Sequence, residues 1–427
     1  MKKIALLLII VFGLQAKSYT QQSNNKSDFY YQIPQEKIFL HYNSSFLLSG
    51  ERLLYRIYCT DSKTKKLSNL SKIGYVELID RNGKVHFKHK IKLTAGLGQG
   101  DFFIPTSILS GNYKVIAYTK WMKNGGKNNF FQGDITILNP FSDNSEVLTV
   151  KNDSISNQKN ENLASLSDYK DNTVKDNSIS LSLNKNQFEK REKVSLNINS
   201  SVGDLAHGNY SISVQKVDAI PFVTKSTSST YNSLFDENSS KQRDITSLVI
   251  PEFRGELISG SVIDKASNRP VSNTLVSLSI TGKDYILKNS KTDNNGNFHF
   301  NIDKEYNSSN ALVQLINNDK ENYKIVMNET VPVDYKDLKF EDFELSEEMK
   351  DIIIKRSINN QIENAYNILK QDSLISYNNT ERFYNSTNYQ YVLDEYKRFS
   401  TLRETLTEII EHVYYNKKGD QYSINII

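Results

Sequence analysis

Chemistry needs particular side chains at particular spacings, and this 427-residue chain offers few of them: six histidines, one cysteine and a handful of glycine-rich or aromatic runs. The histidines stand at 41, 86, 89, 207, 299 and 412, and only His86 and His89 are close enough in sequence to suggest a shared metal ion. In an extended segment, residues three apart point to opposite faces, and a zinc site needs more ligands than this pair supplies. The pair therefore reads as solvated strand histidines, and no HExxH or HxxE run offers a zinc hydrolase instead. Cys59 keeps phase with Leu53, Tyr55 and Ile57 and has no neighbouring base or cation, which reads as a small buried residue rather than a nucleophile.

Two glycine runs imitate binding loops. "GLGQGDF" at 96–102 has the glycines of a phosphate loop but leads into Phe103, Ile104 and Pro105, not into a helix N-terminus, so it reads as a loop between strands. "DNNGNF" at 293–298 carries oxygen ligands, yet an EF-hand loop begun at Asp293 needs glycine and glutamate where Phe298 and Lys304 stand. It reads as a glycine turn, with Gly296 at positive φ. There is no GxSxG and no GxxxxGK[ST]. Trp121, with Tyr113, Tyr118, Phe130 and Phe131, is either sandwich core or a stacking platform for sugar or peptide. No catalytic, cofactor-binding or metal-binding residue is assigned, no cofactor is expected, and the chain is expected not to be an enzyme.

The elements that would position these residues are mostly strands. In the first block, 30–141, Leu53, Tyr55, Ile57 and Cys59 alternate with Leu54, Arg56, Tyr58 and Thr60, a two-residue period. "YVELIDRNGKVHF" is a hairpin through Asn82 and Gly83, and "SGNYKVIAYTKWM" follows as another strand. Residues 142–177 are too polar to bury a core and read as a flexible linker. The second block, 178–222, echoes the first: "EKVSLNI" at 192–198 matches "ERLLYRI" at 51–57, and "GNYSISV" at 208–214 matches "GNYKVIA" at 111–117. The echo suggests a second, shortened β-sandwich unit.

A polar linker, 223–250, precedes the third block, 254–331, where Thr274, Val276, Leu278 and Ile280 alternate, and Phe298, Phe300 and Ile302 follow the 293–298 turn. Helical spacing then appears at 345–371, with Ser346 as N-cap and Met349, Ile352, Ile353, Ile358, Ile362, Ala365, Tyr366 and Leu369 in period. The tail, 390–427, reads as α+β: a helix from Thr401 to about Glu411, opened by a Thr401/Glu404 capping box, then two strands. The fold class is mainly β, with tandem sandwiches of immunoglobulin-like or macroglobulin-like and transthyretin-like type and a small α+β C-terminal region.

Lys2 and Lys3 before the apolar stretch 4–14, with Ala16 at a cleavage site, read as a signal peptide over residues 1–16. The stretch falls short of the roughly 20 residues a spanning helix needs, and no transmembrane segment is expected in the mature chain. Removal of 1–16 takes two of the 53 basic side chains and none of the 49 acidic ones, for a net charge of +2. That balance excludes a strong electrostatic attraction to nucleic acid. One cysteine in an exported chain also excludes an internal disulfide.

These residues carry a resemblance. "EKIFLHYNSSFLLSGERLLYRIY", "YVELIDRNGKV", "GQGDFFIP" and "LSGNYKVIAYTKWMKN", within 36–140, resemble the macroglobulin-type second domain of exported Bacteroidetes proteins. "GSVIDKASNRPVSNTLVSLSI" and "TDNNGNFHF", within 255–315, resemble the carboxypeptidase-regulatory-like domain, a transthyretin-like sandwich. "KRSINNQIENAYNIL" and "LDEYKRFSTLRETLTEIIEHV" are similar to longer proteins in which such domains precede a TonB-dependent-receptor plug-like region, which the resemblance would put after Ile427 in a truncated member.

The resemblance implies a periplasmic or outer-membrane setting, envelope proteins as partners and a link to a TonB-dependent transporter. It departs from thioester macroglobulins, because Cys59 is followed by Thr60, Asp61 and Ser62 and not by the GCxEQ continuation. No zinc carboxypeptidase domain accompanies the regulatory-like part. The functional expectation is a non-enzymatic envelope protein that mediates protein contacts. The alternatives are an endopeptidase inhibitor lacking a thioester, with bait in 142–177 or 224–247, and a carbohydrate-binding module around Trp121.

Overall fold

The computed structural model describes residues 33–142, 179–201, 203, 208–215, 220, 225, 231, 248–282, 285–306, 310–316, 320–328, 332–343, 345–367, 391–419 and 421–426. The expected signal peptide, 1–16, lies outside them, as does the expected linker, 142–177, apart from Ser142. The chain divides into two compact units. The first holds Met1–Val276, Ser290–Glu305 and Leu315–Ser376, and the second holds Ser277–Asn289, Tyr306–Gln314 and Tyr377–Ile427.

In the first unit, eight strands build a sandwich: β1 (Glu36–Tyr42), β2 (Phe46–Leu48), β3 (Arg52–Asp61), β4 (Ile73–Ile79), β5 (Val85–Lys92), β6 (Leu97–Phe103), β7 (Gly111–Thr119) and β8 (Phe131–Leu138). One sheet runs β1-β3-β6 and the other β2-β8-β7-β4-β5. The alternation in β3 is resolved as the two-residue period requires: Leu53, Tyr55, Ile57 and Cys59 enter a core shared with Val76, Leu78, Val115 and Ala117 from the other sheet. The β4–β5 turn is built on Asn82 and Gly83, whose φ is +77°. Asp80 fixes this turn by accepting from the Asn82 and Lys84 amides at 2.9 and 3.0 Å.

The run at 96–102 is strand β6, not a loop, and pairs antiparallel with β3 from Leu97↔Tyr58 to Phe103↔Arg52. Its glycines make room for neighbours: a Cβ at Gly100 would lie 2.5 Å from the Tyr55 hydroxyl. A Cβ at Gly98 would meet the Ile91 side chain at 2.8 Å, and Gly96, in the turn before β6 at φ +78°, lies against the Cys59 carbonyl, so close neighbours explain glycines whose spacing imitates a phosphate loop.

The second block supplies β9 (Ile179–Leu183) and β10 (Leu196–Ser200), an antiparallel two-stranded ribbon. The matching segment 208–214 carries no strand. Within 223–250, Lys225, Tyr231 and Val249 meet the first block. Tyr231 is buried against Phe39 and Phe131, and the Lys225 ammonium donates to the Tyr42 and Asn43 carbonyls, both at 2.9 Å.

In the third block, β11 (Glu256–Asp264) is the centre strand of one sheet. It lies between β14 (Asn297–Ile302) and β16 (Tyr323–Met327), with β12 (Leu275–Ile280), β13 (Ile286–Lys291) and β15 (Leu312–Leu315) falling between them in sequence. Phe298, Phe300 and Ile302 are buried, as their alternation dictates. Gly296 has φ +73°, and Asp293 accepts from the Asn295 and Asn297 amides at 2.9 and 2.8 Å.

Helix α1 (Lys350–Asn367) follows a short 3-10 turn, Glu347–Met349, and accounts for the described part of 345–371. Met349 of the turn and Ile353 of the helix pack onto Phe46, Leu48, Leu138 and Phe343.

The second unit holds most of the sheet β13-β12-β15, in which Val276, Leu278 and Ile280 are buried. It also holds helix α2 (Leu402–Glu408) and the hairpin β17 (Val413–Lys418) and β18 (Gln421–Ile426). The capping box forms as its spacing requires: Thr401 accepts from the Glu404 amide and Glu404 from the Thr401 amide. The helix stops at Glu408, earlier than its apolar period suggests, and no helix among the described residues is long and apolar enough to cross a membrane.

Candidate functional site: buried carboxylates on the outer sheet face

The sequence candidates among the described residues are not gathered into one site, and His207 lies outside the described residues. His86 and His89 point to opposite sides of β5. The His86 Nε2 lies 2.9 Å from the Asp80 carboxylate and the His89 Nδ1 lies 2.7 Å from the Tyr55 hydroxyl. Both are half-buried and partnered, which corrects their reading as solvated side chains. Among the described residues no group of three His, Cys, Asp or Glu is placed to hold a metal ion.

Cys59 is fully buried. Burial, and then the adjacent Glu36 carboxylate, push its thiol well up, so it stays protonated and unreactive. Trp121 is 0% exposed, and Tyr113, Tyr118, Phe130 and Phe131 are buried with it. These rings are core, and the stacking platform expected of them as an alternative is not available to a sugar. The Trp121 indole N–H donates to the Pro34 carbonyl at 3.1 Å.

What the sequence reading missed is a set of buried carboxylates. Glu36, at the start of β1, accepts from Ser68 Oγ (2.6 Å), the Ser71 amide (3.0 Å), Ser71 Oγ (2.5 Å) and Thr119 Oγ1 (2.9 Å). Glu77 sits in β4, every residue of which is buried. It shares one face with Tyr75, and the β4–β7 and β4–β5 registers put Tyr118 and Lys88 on that face too. The Tyr118 and Tyr335 hydroxyls donate to Glu77 at 2.6 and 2.7 Å, and the Lys88 ammonium lies 2.8 Å from it.

The Tyr118 ring stacks on Tyr75, centroids 5.4 Å apart, and the Tyr75 hydroxyl donates to a third carboxylate, Glu252, at 3.0 Å. Glu252, 1% exposed, also accepts from the Leu257 amide at 3.0 Å and pairs with Lys120 at 3.4 Å. Lys90 pairs with Glu256 beside it. The network therefore joins β4, β5 and β7 to the 249–257 segment and to Tyr335.

Its electrostatics keep the tyrosines neutral. Burial first, then the neighbouring carboxylates, push the hydroxyls of Tyr75 and Tyr118 far above the ordinary tyrosine range; for Tyr335 burial leads, then Tyr118 and Glu77. All three are neutral donors at physiological pH and cannot serve as bases. Lys123, over the Tyr118 ring at 5.7 Å, is lowered to about 8 by burial and then by Lys88. Glu77 and Glu252 meet donors on both oxygens or on several sides, so their hydrogen-bonding capacity is committed to the protein itself.

The same outer face is covered further along. Val333, Leu338 and Phe340 pack on the first block's core, Lys127 pairs with Asp337 at 2.9 Å, and Arg81 pairs with Asp342. One signal in the sequence pointed this way: a glutamate within the apolar run "YVELI". A charge in a strand that is otherwise apolar must find partners, and here later parts of the chain supply them.

No protein family and no curated protein matches the chain. Among solved structures it is similar to a Salmonella alpha-2-macroglobulin reacted with methylamine, at 10% identity and a TM-score of 0.20 over 69% of this chain and 14% of that one. It is similar to the native conformation of E. coli alpha-2-macroglobulin, at 10% identity and a TM-score of 0.21 over 71% of this chain and 12% of that one. A Listeria innocua beta-glucosidase in complex with isofagomine matches at 12% identity and a TM-score of 0.18, over 24% of this chain and 16% of that one. The chain thus spans less than a fifth of each of these proteins. At such TM-scores likeness assigns neither family nor activity, and the mainly β architecture stands on the strands themselves.

Proposed function

We propose that this chain is a non-enzymatic, exported envelope protein with a macroglobulin-like first block, acting as a rigid multi-block mount for contacts with other envelope proteins. The observation that carries the reading is the use made of Glu77 and Glu252. Both carboxylates are spent on neutral tyrosines, lysines and a backbone amide that fasten later segments to the first sandwich. Buried charges satisfied in this way rigidify an assembly.

The signal sequence supports export. The resemblance of 355–369 and 393–413 to longer proteins that carry a TonB-dependent-receptor plug-like region supports an outer-membrane or periplasmic place and a link to TonB-dependent uptake. In-cell cross-linking followed by mass spectrometry tests the reading: cross-links to outer-membrane proteins are expected, and a purely cytoplasmic partner set overturns it. Addition of excess purified protein to a panel of endopeptidases separates the inhibitor alternative, because the mount reading expects unchanged proteolysis of both small and large substrates.

A further inference from the structure

The β9–β10 ribbon has two unlike faces. Register pairs Leu196 with Leu183, Ile198 with Leu181 and Ser200 with Ile179, so these side chains share one face, while Ser180, Ser182, Asn197 and Asn199 share the other. The apolar face is open: Leu181, Leu183, Leu196 and Ile198 are 38–64% exposed. A lone two-stranded ribbon is marginal in water, and an uncovered apolar face on it marks a docking surface.

The chain itself carries a fitting occupant. In 208–215, Tyr210, Ile212 and Val214 alternate with Asn209, Ser211, Ser213 and Gln215. The polar side meets the first block, where Ser211 Oγ lies 2.6 Å from His41 Nδ1. On the other side Ile212 and Val214 are 55% and 90% exposed, and the segment forms no strand. Its match to the first block is in phase. Val194, Leu196 and Ile198 stand where Leu53, Tyr55 and Ile57 stand in the first block, and Tyr210, Ile212 and Val214 where Tyr113, Val115 and Ala117 stand. In the first block those two triplets come from opposite sheets and bury each other in one core. Seven residues, 201–207, separate β10 from the segment, and at full extension they reach about 23 Å, ample for a return across a ribbon.

We propose that residues 208–215 are the strand that covers the apolar face of the β9–β10 ribbon, closing a second small sandwich with the core phase of the first. The ribbon is then a strand-binding site occupied in cis, and a partner's extended apolar strand reaches it only by displacing 208–215. This goes beyond the mounting role, since it assigns a binding face and its resident.

Thiol labelling of the full chain tests it, with Cys59 silent because it is buried. Ile198→Cys places a thiol on the apolar face, and Ser180→Cys places a reference on the polar face. The proposal expects Cys at 198 to label at least tenfold more slowly than Cys at 180, and expects Ile212→Asp, introduced beside it, to remove most of that difference. Equal labelling at 198 and 180 overturns the proposal. Protection that survives Ile212→Asp, or that rises with protein concentration, also overturns it and assigns the face to another segment or to a second copy. Unchanged Trp121 fluorescence in every variant verifies that the first block remains folded.

Discussion

Arg356 of helix α1 forks onto Glu51 across 305 residues of sequence, Nε to Oε1 at 2.7 Å and Nη2 to Oε2 at 2.8 Å. The same guanidinium donates to the Phe46 carbonyl at 3.0 Å and lies over the Phe46 ring. One and two turns further on, Asn360 and Asn364 donate to the Ser49 and Gly50 carbonyls, each at 2.9 Å. A single helix face therefore reads the turn between β2 and β3.

Arg356→Ala is expected to destabilise the docked helix by about 1–3 kcal/mol, the range for charge-assisted hydrogen bonds whose partner is left in place. Arg356→Lys is expected to recover less than half of the loss, because an ammonium cannot make the fork. Urea unfolding followed through Trp121, the only tryptophan, measures both.

Tyr335→Phe removes one of the donors to buried Glu77 and is expected to cost about 1–3 kcal/mol. The effect should be largely absent in a Glu77→Gln background, where the charge that needed the donor is gone. A double-mutant cycle on unfolding midpoints reads the coupling, and additive effects would show that the two side chains act independently.

Acid should loosen the first block through two of its half-buried histidines. Burial, then Lys225, lowers the proton affinity of His41, and burial lowers that of His89. A histidine whose folded value lies below its unfolded one stabilises fully above about pH 6.5 and loses that contribution as pH falls toward the folded value. Unfolding midpoints are expected to drop between pH 7 and pH 5. His89→Gln should flatten the drop, whereas Asp61 and Asp80, held below the usual carboxylate range, act only at lower pH.

Gly296→Val should destabilise the third block by about 1–3 kcal/mol, through the left-handed backbone at φ +73° and a Cβ placed 2.7 Å from the Val262 carbonyl oxygen. Gly282→Val provides the contrast: its φ is +147° but no atom lies within 4 Å of the added Cβ, so the loss should be smaller. Thermal unfolding by circular dichroism compares the two.

Local physics was legible in the sequence where a few neighbouring residues settle the outcome. The Asn82-Gly83 turn, the Asp293–Gly296 turn, the Thr401/Glu404 box and the burial of alternate residues in β3 and β14 all belong to that class. What could not be read depends on distant partners. Glu77 was visible as a charge in an apolar strand, but nothing near it in sequence names Tyr335 as its donor 258 residues away. The glycines of 96–102 were misread for the same reason: Gly100 makes room for Tyr55, Gly98 for Ile91 and Leu93, and Gly96 for the Cys59 and Ser68 backbone. The helix period at 345–371 announced an apolar face, but only its start, Met349 and Ile353, meets β2 and β8, while Ile358, Ile362 and Tyr366 stay more than half exposed.

The return of helix α1 to the turn after β2 also bears on how the molecule comes together in time. Closing a loop of 305 residues in an unstructured chain costs about 5 kcal/mol of entropy, so this contact cannot lead and must follow collapse of the intervening blocks. Contacts of such sequence separation raise contact order and slow folding. In a chain that emerges amino-terminus first, Phe46, Leu48 and Leu138 wait uncovered until Met349 and Ile353 arrive, and throughout that interval the earliest block is the part most in need of protection from aggregation.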